Sequence, residues 1–190
     1  MKIFLVGFMG CGKTTTGKQL ARKLGFAFVD LDHVVEERTG STVAAYFAAH
    51  GESGFRELES KTLKTYSYPE NCVVATGGGA PCFFDNMDWM NAHGLTVYFS
   101  LSPKALVKRL ESGKHTRPLL KDLDETQMES FIREKLSERS LFYENAALIV
   151  EGLNLTADAL FHLLIDRIGT RADYPEQHEQ QQHNDRQPEL

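Results

Sequence analysis

Short apolar runs alternate with amphipathic ones along this chain. Lys2–Val6 is apolar, β-branched or aromatic, and short, the pattern of a buried strand. From Lys13 to Leu24 the apolar positions Leu20, Ala21 and Leu24 fall on one helical face, and Gly25 ends the run. Residues 26–30 predict a second strand and residues 33–38 a helix for which Asp32 is a possible N-cap. Ser41 can cap a short helix over 43–50, and residues 51–68 read as a longer polar helix with Phe55, Leu58 and Leu63 as its apolar stripe. Residues 72–76 predict a third strand, 85–93 a helix with Trp89 as a core residue, and 95–101 a fourth strand. Ser102-Pro103 is a capped helix start, running to about residue 112. Asp124 with Gln127 forms a capping-box signature for a long helix to about Tyr143. A fifth strand over 147–150 and a helix capped by Thr156, to about Ile168, complete the pattern. Strands alternating with helices predict an α/β fold, a parallel sheet with helices on both faces, in a single domain over residues 1–169. From residue 170 Gln, His, Glu and Pro replace apolar residues, so 170–190 reads as a disordered polar tail.

Composition narrows the function classes. A net charge of −5 argues against a broad basic footprint for nucleic acid. No apolar run approaches membrane-spanning length, and the glycines that follow Val6 cut short the first one, so neither a membrane anchor nor a signal peptide is expected. Cys11, Cys72 and Cys82 are scattered, as are the His residues, which predicts a reducing cytoplasm and no zinc or iron site. With no apolar stripe that reads as an interface, a monomer is expected.

The chemistry concentrates in residues 7–14, Gly-Phe-Met-Gly-Cys-Gly-Lys-Thr, which fit G-x-x-x-x-G-K-[ST] between a predicted strand and a predicted helix. Glycines there let backbone N–H groups converge at a helix N-terminus, where a polyphosphate fits. Lys13 would reach the β and γ phosphates, and the Thr14 hydroxyl would ligate Mg²⁺. Asp30 and Asp32 follow the second strand and, if the strand continues through them, share a face at its C-terminal end, where open parallel sheets bind ligands. Gly77-Gly78-Gly79 ends the third strand and implies close approach to the backbone. Arg56 and Glu59 lie three apart and, from spacing alone, read as a solvated surface pair. Residues 113–124 carry several cations without a clean period and read as a lid.

Phosphate loop, Asp-x-Asp, Gly-Phe-Arg-x-x-Glu, Gly-Gly-Gly-Ala, Thr-Arg-Pro-Leu-Leu and Arg-x-x-x-Tyr follow one another in the chain, and in that order they resemble the shikimate kinases, within the nucleoside-monophosphate-kinase-like P-loop fold. The resemblance spans residues 1 to about 168. It implies a five-stranded parallel sheet in the order 2-3-1-4-5, a substrate-binding helical segment at about 32–60, and transfer of the ATP γ-phosphoryl group to the 3-hydroxyl of shikimate in aromatic amino-acid biosynthesis. Carried over by position, ATP meets Gly10, Cys11, Gly12, Lys13, Thr14 and Thr15, with Arg117 closing from the lid and Arg109 near the adenine. Thr14 and Asp30 hold Mg²⁺, the aspartate through water. Asp32, the candidate base, binds the shikimate hydroxyls, Arg56 and Arg139 grip its carboxylate, and Gly77, Gly78 and Gly79 line its ring. Lys13, Asp32 and Arg117 are then the catalytic set. Cys11 departs from the family's usual small Ser or Ala. Its place at a helix N-terminus beside Lys13 favours thiolate, which would make ATP binding sensitive to alkylation. The alternatives are another small-molecule kinase of this fold, such as a gluconate kinase, and a non-catalytic nucleotide-binding regulator. The glycine run with Arg56 and Arg139 argues against the first, and retention of Lys13, Asp32 and Arg117 against the second.

Overall fold

The computed structural model describes residues 1–111, 113, 120 and 122–168. Five parallel strands, β1 (Lys2–Val6), β2 (Ala27–Asp30), β3 (Cys72–Ala75), β4 (Leu95–Ser100) and β5 (Leu148–Glu151), form one sheet in the order β2-β3-β1-β4-β5. Among the described residues seven α-helices accompany them: α1 (Lys13–Leu24), α2 (Leu31–Thr39), α3 (Val43–Thr65), α4 (Asn86–His93), α5 (Pro103–Leu110), α6 (Glu125–Tyr143) and α7 (Ala157–Ile168). Alternation along β1 explains the layers. Ile3 and Leu5 face a core with Leu20 and Leu24 of α1, Leu106 of α5 and Leu160 of α7. Phe4 and Val6 face a second core with Leu63 of α3, Met90 of α4 and Tyr143 of α6. A strand buried on both faces has to be apolar at every position, which is why the strand runs read as continuous.

The register places the functional loops. Leu5 pairs with Ala75, and Ala75 with Asp30, so the glycine loop after β1, the glycine run after β3 and the end of β2 emerge at one edge of the sheet. Thr76 extends β3 by donating its N–H and its hydroxyl to the Leu5 carbonyl, at 3.2 and 3.0 Å.

Several expectations need correction. Asp30, not Asp32, caps α2, its side chain accepting from the Asp32 N–H at 3.2 Å. The helix therefore starts two residues earlier, and Asp32 lies in its first turn instead of sharing a strand face with Asp30. The helices expected over 43–50 and 51–68 do meet at a break, Gly51, whose φ of 71° and ψ of −179° are non-helical, so α3 is two helices across a kink, the second ending at Thr65 instead of residue 68. Thr42, not Ser41, caps the first, through the Ala45 N–H. At Asp124 and Gln127 both halves of the expected capping box are present. Among the described residues no helix is long and apolar enough to cross a membrane. The 170–190 tail and most of the expected lid, Arg117 included, lie outside the described residues.

Candidate active site

Gly10 and Gly12 take φ of 78° and 104°, angles that side chains resist, and the loop they bend delivers the chain into α1. Gly12 caps that helix without a side chain, and no acidic residue stands in the first turn. The first N–H groups and the positive end of the helix are thus left to an anion. Thr14 and Thr15 are exposed on that turn. The Lys13 ammonium is folded inward, donating to the Gly7 and Phe8 carbonyls at 2.7 and 3.0 Å, with Cys11 Sγ at 3.6 Å. Cys11 is only 2% exposed, so its thiol is shielded from alkylating agents in this conformation.

Thr14 Oγ1 donates to Asp30 Oδ2 at 3.0 Å, joining the phosphate loop to the end of β2. A hydroxyl and a carboxylate, both hard oxygen donors beside a phosphate cradle, fit Mg²⁺, which takes few protein ligands and fills its remaining positions with phosphate oxygens and water. Asp32 Oδ1 stands 3.0 Å from where a Cβ would lie on Gly77, at the head of the glycine run. Its carboxyl is raised above the usual range, by partial desolvation first and then by the Asp30 charge, while Lys13 and Arg56 pull it down. A carboxylate so placed can accept from a substrate hydroxyl.

The glycine run forms the floor. A Cβ on Gly78 would stand 3.1 Å from the Met9 nitrogen, so the run abuts the phosphate loop directly. A Cβ on Gly79 would meet the Arg56 guanidinium at 2.5 to 2.6 Å, which requires glycine for close approach. Arg56 is buried on α3. Its Nη1 donates to Glu59 Oε2 at 2.8 Å, its Nη2 to Glu52 Oε1 at 3.3 Å, and Phe83 lies against its face with the ring centre at 4.5 Å. The Arg56–Glu59 pair is therefore interior, not the solvated pair that spacing suggested. Burial pushes the Glu59 carboxyl up to about 7 against the opposing pull of Arg56. Among the described residues, the buried side-chain atoms without a hydrogen-bond partner are Arg56 Nε and Glu59 Oε1. Two orphaned polar atoms on one pair of side chains mark a place built for something polar.

Arg139 of α6 and Arg56 both line a cavity of about 480 Å³ walled by Phe47, Phe83, Cys82 and Phe142, with Glu52, Lys135 and Glu138 on it as well. The Arg139 guanidinium lies 5.5 Å from the centre of the Phe8 ring, beside the phosphate loop. Two guanidiniums converging in a largely apolar recess suit a carboxylate. Arg109 is tied into the scaffold: it donates to the carbonyls of Cys11, Gly152 and Leu153 at 2.8, 2.8 and 2.9 Å, bracing the phosphate loop against the turn after β5.

The fold thus brings together Lys13, Thr14, Asp30, Asp32, Arg56, Arg139 and the glycine run. Sequence reasoning missed Glu59 as a buried partner and gave Tyr143 no role. The signal for each was its spacing from an arginine, three residues for Arg56 and Glu59 and four for Arg139 and Tyr143.

The shikimate kinase family model matches residues 9–169. Shikimate kinase of Parabacteroides distasonis is 45% identical over 161 residues, 85% of this chain and 93% of that protein. Its counterpart in Bacteroides thetaiotaomicron is 47% identical over 149 residues, 78% and 85%. Among solved structures, the crystal structure of shikimate kinase from Bacteroides thetaiotaomicron superposes with a TM-score of 0.83 at 42% identity, over 88% of this chain and 98% of that one. Shikimate kinase from Acinetobacter baumannii, in complex with shikimate, gives 0.78 at 34% identity, over 88% and 92%. Deoxyadenosine kinase from M. mycoides, with bound dATP, gives 0.53 at 16% identity, a likeness of fold alone.

Proposed function

Since this chain belongs to the shikimate kinase family, we propose that its crevice moves the γ-phosphoryl group of ATP to the 3-hydroxyl of shikimate, as a step toward the aromatic amino acids. One observation carries the assignment of sites within it. The cavity that holds both guanidiniums is also lined by Phe8 and Met9 of the loop that leads into the open N-terminus of α1, so a triphosphate and a ring acid would meet end to end.

Lys13 would exchange its two carbonyl partners for phosphate oxygens when ATP enters, a swap of hydrogen bonds that leaves a buried charge paired throughout. Gly10, Cys11 and Gly12 present backbone to the phosphates, with Thr15 at the helix start. Thr14 and Asp30 would hold Mg²⁺, whose contribution when bound is to neutralise charge on the phosphate oxygens. Arg56 and Arg139 hold the shikimate carboxylate, so the ring enters in one orientation. Asp32 accepts from the ring hydroxyls and orients the attacking oxygen. Its raised carboxyl makes it a better proton acceptor than an ordinary surface aspartate. Gly77, Gly78 and Gly79 allow the ring to lie against the backbone. Phosphoryl transfer has a loose transition state, so positioning and charge neutralisation carry most of the catalysis. Arg117 would close over the phosphates, and Arg109 would offer its face to the adenine while its edge holds the scaffold carbonyls. All of these residues belong to one chain, which supports action as a monomer, and the free thiols of Cys11, Cys72 and Cys82 support a reducing cytoplasm.

A coupled assay for ADP with shikimate, gluconate and nucleoside monophosphates in parallel tests the reading. Turnover with shikimate alone is expected. Turnover with gluconate or a nucleotide and none with shikimate would refute it.

A further inference from the structure

Tyr143 ends α6 and is fully buried, yet its hydroxyl is engaged from several sides. It donates to the Gly78 carbonyl. The Arg139 guanidinium, one turn back on the same helix, and the Cys82 thiol lie beside it. Its ring stacks on Tyr98 with centroids 5.0 Å apart, and Tyr98 lies 3.4 Å from where a Cβ would stand on Gly7. The residue therefore touches the glycine run and Arg139 directly, and the phosphate loop through one ring.

We propose that Tyr143 is a positioning residue for the ring-acid half of the site, its single hydroxyl aiming the Gly78–Gly79 peptide and the Arg139 guanidinium together. The proposal rests on the reading that Arg139 grips the shikimate carboxylate. A phenol has one proton to give and two lone pairs to offer, so it can donate to a carbonyl and accept from a guanidinium at once. The Gly78 carbonyl needs such a restraint because three successive glycines have no side chains to fix their backbone. With every peptide trans, directing the Gly78 oxygen toward Tyr143 turns the Gly79 N–H to the opposite side. Arg139 has a long flexible stem. Phe8 supports its face and Tyr143 its edge, so its orientation is set before a ligand arrives, which lowers the entropic cost of binding. Burial pushes the phenol's proton affinity well up, so the hydroxyl remains a neutral donor across the working pH range.

Tyr143→Phe removes one oxygen and keeps the ring stack. We expect its shikimate KM to rise roughly tenfold, the loss of one buried hydrogen bond, with the ATP KM held within about twofold. In an Arg139→Ala background the same change should cost less than it does alone. Met90→Ala, in the same core, supplies a variant destabilised by packing loss without touching the site. Its shikimate KM should stay near wild type at a comparable or larger fall in Tm. A crystal structure of Tyr143→Phe without ligand should show the Gly78 carbonyl rotated or the Arg139 guanidinium moved. Both groups in place, or shikimate and ATP KM values rising together as in a merely loosened fold, would overturn the proposal. If the wild-type enzyme fails to use shikimate, the functional reading falls, and the variant crystal structure still decides whether the hydroxyl sets these two groups.

Discussion

Arg56 donates to Glu59 at 2.8 Å, one turn apart on α3, with Glu59 almost fully buried and Arg56 largely so. The acid in this pair has its carboxyl pushed up to about 7 from an ordinary 4.5, by burial against the pull of Arg56, with Asp32 raising it further and Arg139 lowering it.

That shift links stability to pH. Between pH 4.5 and about 7 the folded chain holds a proton on Glu59 that the unfolded chain has released. Stability from this group is therefore full below 4.5, declines as pH rises to about 7, and is flat above. Glu59→Gln removes the titration. Urea unfolding at a series of pH values should show the variant gaining on wild type from pH 4.5 to 7 and then holding a constant difference. A difference independent of pH would contradict this.

The hydrogen bond from Thr14 to Asp30 sits where Mg²⁺ fits. Thr14→Val keeps the shape and deletes the hydroxyl. Asp30→Asn keeps the cap on α2 and removes the charge. Each should raise the Mg²⁺ concentration for half-maximal activity roughly tenfold or more. An unchanged Mg²⁺ titration would remove both residues from the metal site.

Gly79 has φ of −90° and ψ of −19°, angles alanine adopts freely. Any loss in Gly79→Ala must then come from the added Cβ striking Arg56 at 2.5 to 2.6 Å. Displacing that guanidinium by a fraction of an ångström should raise the shikimate KM roughly tenfold or more, with little change in Tm. A fall in Tm without a change in KM would mean that the close approach is structural only.

The strands, the two faces of the sheet and the phosphate loop were legible in the sequence because each depends on local pattern: apolar runs at strands, a stripe on α1, glycines before Lys13. The strand order came only through the family resemblance. Where α2 starts was not. Asp30 and Asp32 are both good caps, and the choice between them turns on β2 ending at Asp30 in register with Ala75. The Arg56–Glu59 pair was legible as neighbours but not as interior, since spacing on a helix says nothing about which face another element covers. Gly79 and Phe83, more than twenty residues beyond Arg56 in the chain, help to bury it. Tyr143 read as the end of a helix. That its hydroxyl reaches Gly78 is a fact of tertiary packing, 65 residues apart in sequence.

The central claim is that two guanidiniums seize the carboxylate of a ring acid beside the phosphate loop. The steady-state KM for shikimate in Arg56→Ala, with Arg56→Lys as the variant that keeps a charge for Glu59, tests it most directly. Both should show the shikimate KM raised roughly tenfold to a hundredfold, because neither retains the planar fork, with the ATP KM within about twofold of wild type. A shikimate KM unchanged in both variants would contradict the account.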